Sequence, residues 1–165
     1  MRALGFDPGT ATTGYGVVDG EGNRLRHVAH GTITTPANTF FADRLKTIYD
    51  QAVELIERFQ PETVAIERLY FKQNITTGIA VAQARGVLAL AAAQAEKPIG
   101  EFSPTEVKSA ITGYGKADKR QVQDMIRILL NLDERPRPDD AADALGIAIC
   151  QVQTGIVQQR LSGQD

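Results

Sequence analysis

The first third of the chain alternates between short apolar runs and turn-forming residues. The segments RALGFD (2–7) and GYGVVD (14–19) are apolar and are separated by PGTATT, a cluster of glycine, proline and threonine. A second turn signal, DGEGN (19–23), precedes the mixed segment RLRHVAHGTIT (24–34). Short apolar runs bounded by such turns predict three strands joined as an antiparallel meander.

After Thr39 the apolar positions recur at steps of three and four. Phe41, Leu45 and Ile48 begin this series, which predicts an amphipathic helix of about 20 residues that ends before Pro61. The run TVAIE (63–67) that follows has the β-branched, apolar composition of a buried strand.

The second half of the chain adds one more strand and four more helices. The expected elements are an alanine-rich helix over 76–96, a strand over 98–103, and helices over 104–111, over 119–132 and from about Pro138 to Gln153. The order β-β-β-α-β-α-β-α-α-α predicts an α/β fold with a mixed five-stranded sheet flanked by helices. We expect one domain over residues 1–157 and a short polar tail over 158–165.

The end of the first strand and the end of the fourth each carry a carboxylate. The crossover into the fourth strand can place it beside the first and parallel to it, so that Asp7 and Glu67 meet at one edge of the sheet. Ligands of open α/β sheets bind beyond that edge. Each residue also has an ordinary interpretation, because aspartate before proline and glycine is common in turns and Glu67 could form an ion pair with Arg68 or a nearby lysine.

Three further aspartates lie in RPRPDDAADALGIA (135–148), at the start of the last predicted helix. Asp140 and Asp143 are three positions apart and Asp139 and Asp143 are four apart, so either pair shares a helix face. Aspartates in a first turn also cap free amides and complement the helix dipole. Asp143 lies deeper than a cap requires, and we expect the alanines around it to clear space for an acidic face.

These carboxylates would together supply the hard oxygen ligands that Mg²⁺ and Mn²⁺ prefer. Without a cation, four clustered carboxylates would repel one another and some of their pKa values would rise. Two divalent ions about 3.5–4 Å apart would offset this repulsion and support in-line phosphodiester hydrolysis. The chain has two histidines, His27 and His30, and we expect both to be solvated.

Charge and composition argue against nucleic-acid-binding, secreted and membrane-spanning proteins. A net charge of −2 and a pI of about 5.7 are mild evidence against a nucleic-acid-binding protein, unless many carboxylates gather at one metal site. The start of the chain does not resemble a signal peptide, and the apolar stretch at 86–95 contains a glutamine and is expected not to span a bilayer. The single cysteine, Cys150, fits a reducing cytoplasm, which is the expected location.

Five segments, taken in chain order, resemble one known family. They are GFDPGTATTGYGVV, VAIERLYFKQN, QARGV, VKSAITGYGKADKRQVQDMI and DDAADALGIAI, and they run from Met1 to about Gln153. Together they resemble the RuvC family of bacterial Holliday junction resolvases. The resemblance implies a ribonuclease H-like fold and a homodimeric, metal-dependent endonuclease that cuts opposing strands of a four-way DNA junction and leaves nicks that ligase can seal.

The resemblance also assigns roles to residues and names partners. Its four acidic ligands, for two Mg²⁺ or Mn²⁺ ions, fall on Asp7, Glu67, Asp140 and Asp143. Asp139 then becomes an outer neighbour or a cap. The partners that the resemblance implies are four-way junction DNA, a second copy of the chain, and a branch-migration motor built from RuvA and RuvB.

The remaining implied positions concern the DNA. Lys119 matches a catalytic position beside the scissile phosphate, where it would stabilise developing negative charge. Tyr70 matches an aromatic residue that stacks on junction bases, and if the segment is extended either Tyr70 or its neighbour Phe71 can face the core. The expected DNA-binding residues are Tyr70, Phe71, Lys72, Lys108, Lys116, Lys119 and Arg120.

Three other functions fit part of the pattern. Another ribonuclease H-like nuclease would keep the metal site but act on RNA or RNA-DNA hybrids. An actin-like sugar kinase or ATPase would use DPGTATTGYGVV as a phosphate loop, but it needs a second domain for which 165 residues leave no room. A catalytically silent junction-binding protein would be an inactivated homologue, but all four acidic residues are intact in this chain.

Overall fold

One five-stranded sheet organises the protein, whose structure is a computed structural model that describes residues 1–69 and 75–161. The strands are β1 (Arg2–Asp7), β2 (Thr12–Glu21), β3 (Arg24–Thr34), β4 (Thr63–Glu67) and β5 (Ile99–Phe102). Their order across the sheet is β3-β2-β1-β4-β5. The first three strands form the predicted antiparallel meander, while β4 pairs parallel with both β1 and β5. The predicted mixed sheet is therefore confirmed.

Five helices in the described part of the chain cover the two faces of this sheet. They are α1 (Phe41–Phe59), α2 (Ile75–Gln94), α3 (Pro104–Thr112), α4 (Lys119–Leu129) and α5 (Asp139–Leu161). Helices α1 and α2 pack together over one face and share a core with it. On the other face α5 lies across β1 and β2, and α3 and α4 pack beside it around a second core.

The side chains of β1 alternate between these two cores. Leu4 and Phe6 are fully buried against the α1 and α2 side. Ala3 belongs to the core under α5, and a Cβ atom added to Gly5 would come within 2.7 Å of the Ala148 amide nitrogen of that helix. Because successive residues of a strand point to opposite faces, the next residue of this series, Asp7, points to the α5 face.

Helix α5 lies directly on the sheet because β2 presents glycine beneath it. A Cβ atom on Gly16 would lie 2.6 Å from the Leu145 amide nitrogen, a separation that a real side chain could not accept. The alanines of α5 complete this contact and are all fully buried: Ala141, Ala142 and Ala144. The expectation that they clear space around an acidic face is therefore wrong, since their small size serves the close approach of helix and sheet.

Several element boundaries differ from the prediction. Strand β2 is longer at both ends than GYGVVD because its pairing with β3 runs from Thr12 to Glu21. Helix α4 ends at Leu129 and not at residue 132, because Asn131 adopts a left-handed φ of 51°. Helix α5 continues to Leu161, past the predicted end near residue 153, so the helix includes the start of the expected tail.

The two histidines form a pair, which contradicts the expectation that they are solvated. His27 Nε2 and His30 Nδ1 lie 2.8 Å apart in a hydrogen bond, and both side chains are half-buried. An irregularity in the β2–β3 register at Val17 and Val18 brings residues three positions apart onto one face. A sequence spacing of three in a regular strand would have placed them on opposite faces.

Helix α2 is, within the described residues, long and apolar enough to cross a membrane, with a mean hydropathy of 1.3 over Thr76–Gln94. The glutamine in this stretch therefore does not exclude a membrane span, contrary to expectation. Core helices of folded domains meet the same criterion, however. Ala84, Leu88 and Ala91 of α2 are buried in the core shared with α1, so one face of the helix packs inside the protein.

Candidate active site

Asp7 and Glu67 end two neighbouring parallel strands. Phe6 of β1 pairs with Ile66 of β4, so the next residue of each strand lies at the same edge of the sheet. Ala65 packs in the core under α5 while Ile66 packs on the opposite face. Alternation therefore directs the side chain of Glu67, like that of Asp7, towards α5.

Helix α5 brings Asp140 and Asp143 to this edge. Asp7 faces Gly14 across the β1–β2 pair, and the Asp140 carbonyl group lies so close above Gly14 that a Cβ atom there would overlap its oxygen. Asp143 follows almost one helical turn later and is half-buried. The structure thus places four carboxylates, from two strands and one helix, around one end of the sheet.

The pKa values show that these carboxylates act on one another. Burial, followed by the negative charges of Glu67, Asp143 and Asp140, raises the pKa of Asp7 to about 8. Burial, followed by the charge of Asp143, also raises the pKa of Glu67 above its usual range. Burial raises the pKa of Asp143 as well, although the nearby ammonium group of Lys119 opposes this shift. The site therefore favours added positive charge.

Lys119 supplies positive charge at the border of the cluster. Its Nζ atom lies 3.4 Å from Asp143 Oδ2 and 3.1 Å from Asp139 Oδ2. Burial disfavours the charged form of Lys119, but the hydrogen bond to Asp139 and the charge of Asp143 raise its pKa overall. Gln123 Nε2 in turn donates a hydrogen bond of 2.9 Å to Asp139 Oδ1. Asp139 is thus an exposed residue that holds Lys119, and no cap hydrogen bond from it is found in the described contacts.

The start of α4 determines where Lys119 stands. The Asp118 side chain accepts a hydrogen bond of 2.8 Å from the Gln121 amide, and the Gln121 side chain accepts one of 2.9 Å from the Asp118 amide. This reciprocal pair is a capping box, which sets the first helical residue of α4. Lys119 is that first residue, so its backbone position is defined by the local sequence DKRQ.

A cleft of about 200 Å³ opens beside the carboxylates, between α3, α4 and α5. Charged groups line its mouth, namely Glu67, Asp143, Lys108 and Lys119. Its floor is apolar and consists mainly of Val107, Val122, Ile126 and Ile147. The structure therefore brings Lys108 to the site. It leaves Lys116 and Arg120 exposed, outside the described lining of the cleft.

The donor chemistry of the cluster fits a hard divalent cation. Carboxylate oxygens are the preferred ligands of Mg²⁺ and Mn²⁺, and the pKa values of Asp7, Glu67 and Asp143 are raised first by burial and then by the negative charges of neighbouring carboxylates. Among the described residues, no three Asp, Glu, His or Cys side chains stand close enough to enclose an ion. The carboxylates thus converge on one region without forming a closed cage.

Two arginines beside Glu67 have partners that the sequence did not predict. Arg68, one of the partners that the alternative interpretation allowed for Glu67, instead lies with its Nη1 atom 3.8 Å from Glu106 Oε2. Arg85, from the segment QARGV, donates from Nε to the Glu67 carbonyl oxygen at 3.2 Å and also pairs with Glu101. Arg85 therefore links α2 to the ends of β4 and β5. The only sequence signal for this role is that Arg85 lies in QARGV, one of the segments that resemble the family.

Three residues predicted to bind DNA, Tyr70, Phe71 and Lys72, lie outside the described residues.

Comparison with known proteins identifies the family. The family model described as "Crossover junction endodeoxyribonuclease RuvC" matches residues 3–151, which is most of the chain. The chain belongs to the RuvC family. A RuvC relative from Chloroflexus aggregans, also named crossover junction endodeoxyribonuclease, is 54% identical over 160 residues, covering 97% of this chain and 98% of the relative.

Solved structures agree with this assignment. RuvC of T. thermophilus, determined in complex with a Holliday junction substrate, matches with a TM-score of 0.91 at 33% identity and over 96% of each chain. The yeast mitochondrial Holliday junction resolvase matches with a TM-score of 0.66 at 18% identity, which shows a shared fold alone. The resemblance to the RuvC family and the expected ribonuclease H-like fold are both confirmed. RuvC proteins are metal-dependent endonucleases, so membership of the family also confirms the enzyme class that the sequence predicts.

Proposed function

We propose that this chain resolves four-way (Holliday) DNA junctions in recombination and repair. It hydrolyses one phosphodiester bond on each of two opposing strands and leaves nicks that ligase can seal. The observation that carries the proposal is the convergence of Asp7, Glu67, Asp140 and Asp143 beside Lys119, on a chain of the RuvC family. Such a constellation suits metal-dependent phosphodiester hydrolysis.

The four carboxylates are the proposed ligands of two Mg²⁺ or Mn²⁺ ions per site. When bound, these ions would activate water and compensate charge on the scissile phosphate. The carboxylates of Asp7 and Glu67, held at the ends of rigid strands, orient that centre, while α5 supplies Asp140 and Asp143. Burial and then the negative charges of the other three carboxylates raise the pKa of Asp7, so a divalent cation at this site would offset an unfavourable concentration of negative charge.

Lys119 is proposed to act on the phosphate itself. A lysine ammonium group is charged at neutral pH, and the acidic neighbours of Lys119 raise its pKa further; its Nζ atom lies 3.4 Å from Asp143 Oδ2. From this position it can stabilise the negative charge that develops on the leaving oxygen. Lys108, which also lines the cleft, is proposed to contact a neighbouring phosphate. Lys116 and Arg120 extend the positive surface, and Tyr70, Phe71 and Lys72 complete the proposed DNA contacts.

Cleavage of two opposing strands calls for two active sites related by a two-fold axis, so we propose a homodimer. The outer face of α2 is a suitable contact surface, because Ile79 and Leu90 are each 52% exposed. Gln83, Gly86 and Ala93 are exposed on the same face, at spacings of three and four residues. Cooperation with a RuvA–RuvB motor in the cytoplasm belongs to the same proposal and rests on the family resemblance.

Cleavage of a synthetic four-way junction, with Mg²⁺ and Mn²⁺ titrations, tests the proposal. We expect paired nicks on opposing strands from the wild type. Asp7→Asn and Glu67→Gln should bind the junction without cutting it. Asp50→Asn is the matched control, because Asp50 pairs with Lys46 on the exposed face of α1. Absence of cleavage with either metal would overturn the proposal, and a strong preference for RNA or RNA-DNA hybrids would favour the alternative nuclease.

A further inference from the structure

We infer that Tyr114 stacks on a DNA base beside the active-site cleft, as a second aromatic contact of this chain with its substrate. The inference rests on the proposed function and names a contact that the family segments do not assign. Tyr114 lies in the loop between α3 and α4, and its side chain is 58% exposed although it is a large aromatic residue. Neither core uses its ring.

The backbone around Tyr114 is held rigidly. The Tyr114 amide donates a hydrogen bond of 3.1 Å to Thr112 Oγ1, and the Tyr114 carbonyl accepts one of 3.1 Å from the Ala117 amide. Thr112 Oγ1 also lies 3.0 Å from the Tyr114 carbonyl oxygen and 2.8 Å from that of Lys108. These hydrogen bonds hold the backbone from which the exposed Tyr114 ring projects.

This loop is also attached directly to the cleft. Lys108, whose carbonyl oxygen meets Thr112, lines the cleft with its side chain. Ala117, which holds the Tyr114 carbonyl, is buried in the core that forms the cleft floor together with Val122. Lys119, the residue at the cleft mouth that pairs with Asp143, follows two positions after Ala117. Tyr114 is thus linked to Lys108 through hydrogen bonds of Thr112, and to Lys119 through the short chain segment that follows Ala117.

Charge identifies nucleic acid as the partner of this surface. The segment from residue 108 to 120 contains Lys108, Lys116, Lys119 and Arg120, and its one acidic residue, Asp118, is engaged in the capping box of α4. The segment is therefore locally positive on a chain whose net charge is −2. An exposed aromatic ring among positive side chains is the arrangement that binds a phosphate backbone and stacks on its bases without sequence preference.

Stacking is tested with junctions that carry 2-aminopurine at single positions around the cleavage site, bound in Ca²⁺ to prevent cutting. We expect quenching of the fluorescence at one position by wild-type protein and by Tyr114→Phe. Tyr114→Ala should lose that quenching and bind the junction roughly tenfold more weakly. Phe40→Ala is the matched control, because Phe40 is 74% exposed and precedes α1, which packs on the face of the sheet opposite α3 and α4.

Salt dependence separates stacking from charge. Tyr114→Ala should keep the wild-type slope of log affinity against log salt, whereas Lys116→Ala should reduce that slope by about one. Wild-type quenching and affinity in Tyr114→Ala would overturn the inference, as would equal losses in Tyr114→Phe. A different result would separate this inference from the proposed function. If the wild type quenches a linear single strand, Tyr114→Ala does not, and neither protein cleaves junctions, the Tyr114 contact stands and the junction assignment is refuted.

Discussion

Gly14 of β2 lies directly beneath Asp140 of α5, and no side chain larger than hydrogen fits between them. Gly14 is also the cross-strand partner of Asp7. The contact therefore sets the height of the helix above the strand that carries the first acidic residue of the cluster. The distance between the two halves of the candidate metal site depends on this glycine.

We expect Gly14→Ala to lift the first turn of α5 and to separate Asp140 from Asp7. The added methyl group should cost about 1–3 kcal/mol of folding free energy, as overpacking does. A displacement of about 1 Å in a catalytic group can cost roughly 100-fold in rate, so junction cleavage should fall by that order. Urea unfolding and single-turnover cleavage measure the two effects.

Gly22→Ala is the control for this prediction. Gly22 has a φ of 56° in the β2–β3 turn, and a Cβ atom added to it would have no other atom within 4 Å. Alanine there should cost roughly 1–2 kcal/mol through backbone strain, yet leave cleavage by the folded protein unchanged. Equal cleavage by Gly14→Ala and Gly22→Ala at similar stability would show that the contact under Asp140 does not position the site.

Replacing Asp139 and replacing Asp140 should have different effects on the cleavage rate and on the metal requirement. Asp139 holds Lys119 at 3.1 Å and stands outside the carboxylate cluster, so Asp139→Asn should lower kcat by about 10–100-fold and leave the metal requirement unchanged. Asp140→Asn should abolish cleavage and weaken the response to metal. Cleavage rates across a Mg²⁺ titration distinguish the two. A raised metal requirement in Asp139→Asn would instead make Asp139 a ligand.

The assignment of these two aspartates shows where sequence reasoning stops. Helical spacing allowed either Asp139 or Asp140 to share a face with Asp143. The choice depends on Lys119 and Gln123, which reach Asp139 from a different helix. Strand alternation and the crossover rule, by contrast, were sufficient to bring Asp7 and Glu67 to one edge, because both are properties of the local chain.

The other surprises have the same origin in tertiary contacts. The hydrogen bond between His27 and His30 requires a register irregularity that lies in the pairing of two strands and is invisible in either one. Alanines beside Asp143 are compatible both with an open acidic face and with a helix packed closely on the sheet. The glycines of β2, which lie directly under α5, show that close packing is the right interpretation. Periodicity identifies elements, but not the surfaces that they share.

Arg85 should act as a positioning residue for Glu67. Its guanidinium group donates to the Glu67 carbonyl oxygen and pairs with Glu101, so its loss frees the end of β4. Arg85→Gln should reduce cleavage by about 10–100-fold and raise the metal concentration needed for half-maximal activity. Arg58→Gln is the matched control, because Arg58 lies over the Phe59 ring on α1, away from the site. An unchanged metal requirement in Arg85→Gln would contradict this role.

Removing one carboxylate should stabilise the fold when no divalent cation is present. A carboxyl group whose pKa rises on folding binds more protons in the folded state, so its ionisation costs stability as pH rises from about 4 towards 8. Asp7→Asn at pH 7 in EDTA should therefore gain at least about 1 kcal/mol, which is roughly 2–4 °C in Tm for a domain of this size.

A bound divalent cation should make the wild type more stable than Asp7→Asn. Added Mn²⁺ should raise the Tm of the wild type through preferential binding to the folded state, and should raise that of Asp7→Asn much less. Asp50→Asn, which removes an exposed carboxylate, should follow the wild type in both buffers. Equal Mn²⁺ stabilisation of the wild type and Asp7→Asn would exclude Asp7 from the metal site.

The histidine pair should make the fold sensitive to mild acid. Burial lowers the pKa of both rings, and the charge of His30 further lowers that of His27, while the Arg137 backbone opposes the shift of His30. The unfolded chain then takes up protons near pH 6.5 that the folded chain does not, so stability falls as pH drops through and below that value. Asp7, Glu67 and Asp143 shift in the opposite sense and lose stability as pH rises.

Comparison with a variant isolates the histidine contribution, because both proteins share the carboxylates. We expect the difference in unfolding free energy between wild type and the double variant His27→Gln, His30→Gln to shrink between pH 7.5 and pH 5.5, as measured by urea titration. Replacing only His27 should remove most of the dependence, since the Nε2–Nδ1 hydrogen bond of 2.8 Å needs a neutral partner on at least one side. A difference that stays constant over this range would mean that the pair titrates alike in the folded and unfolded chains.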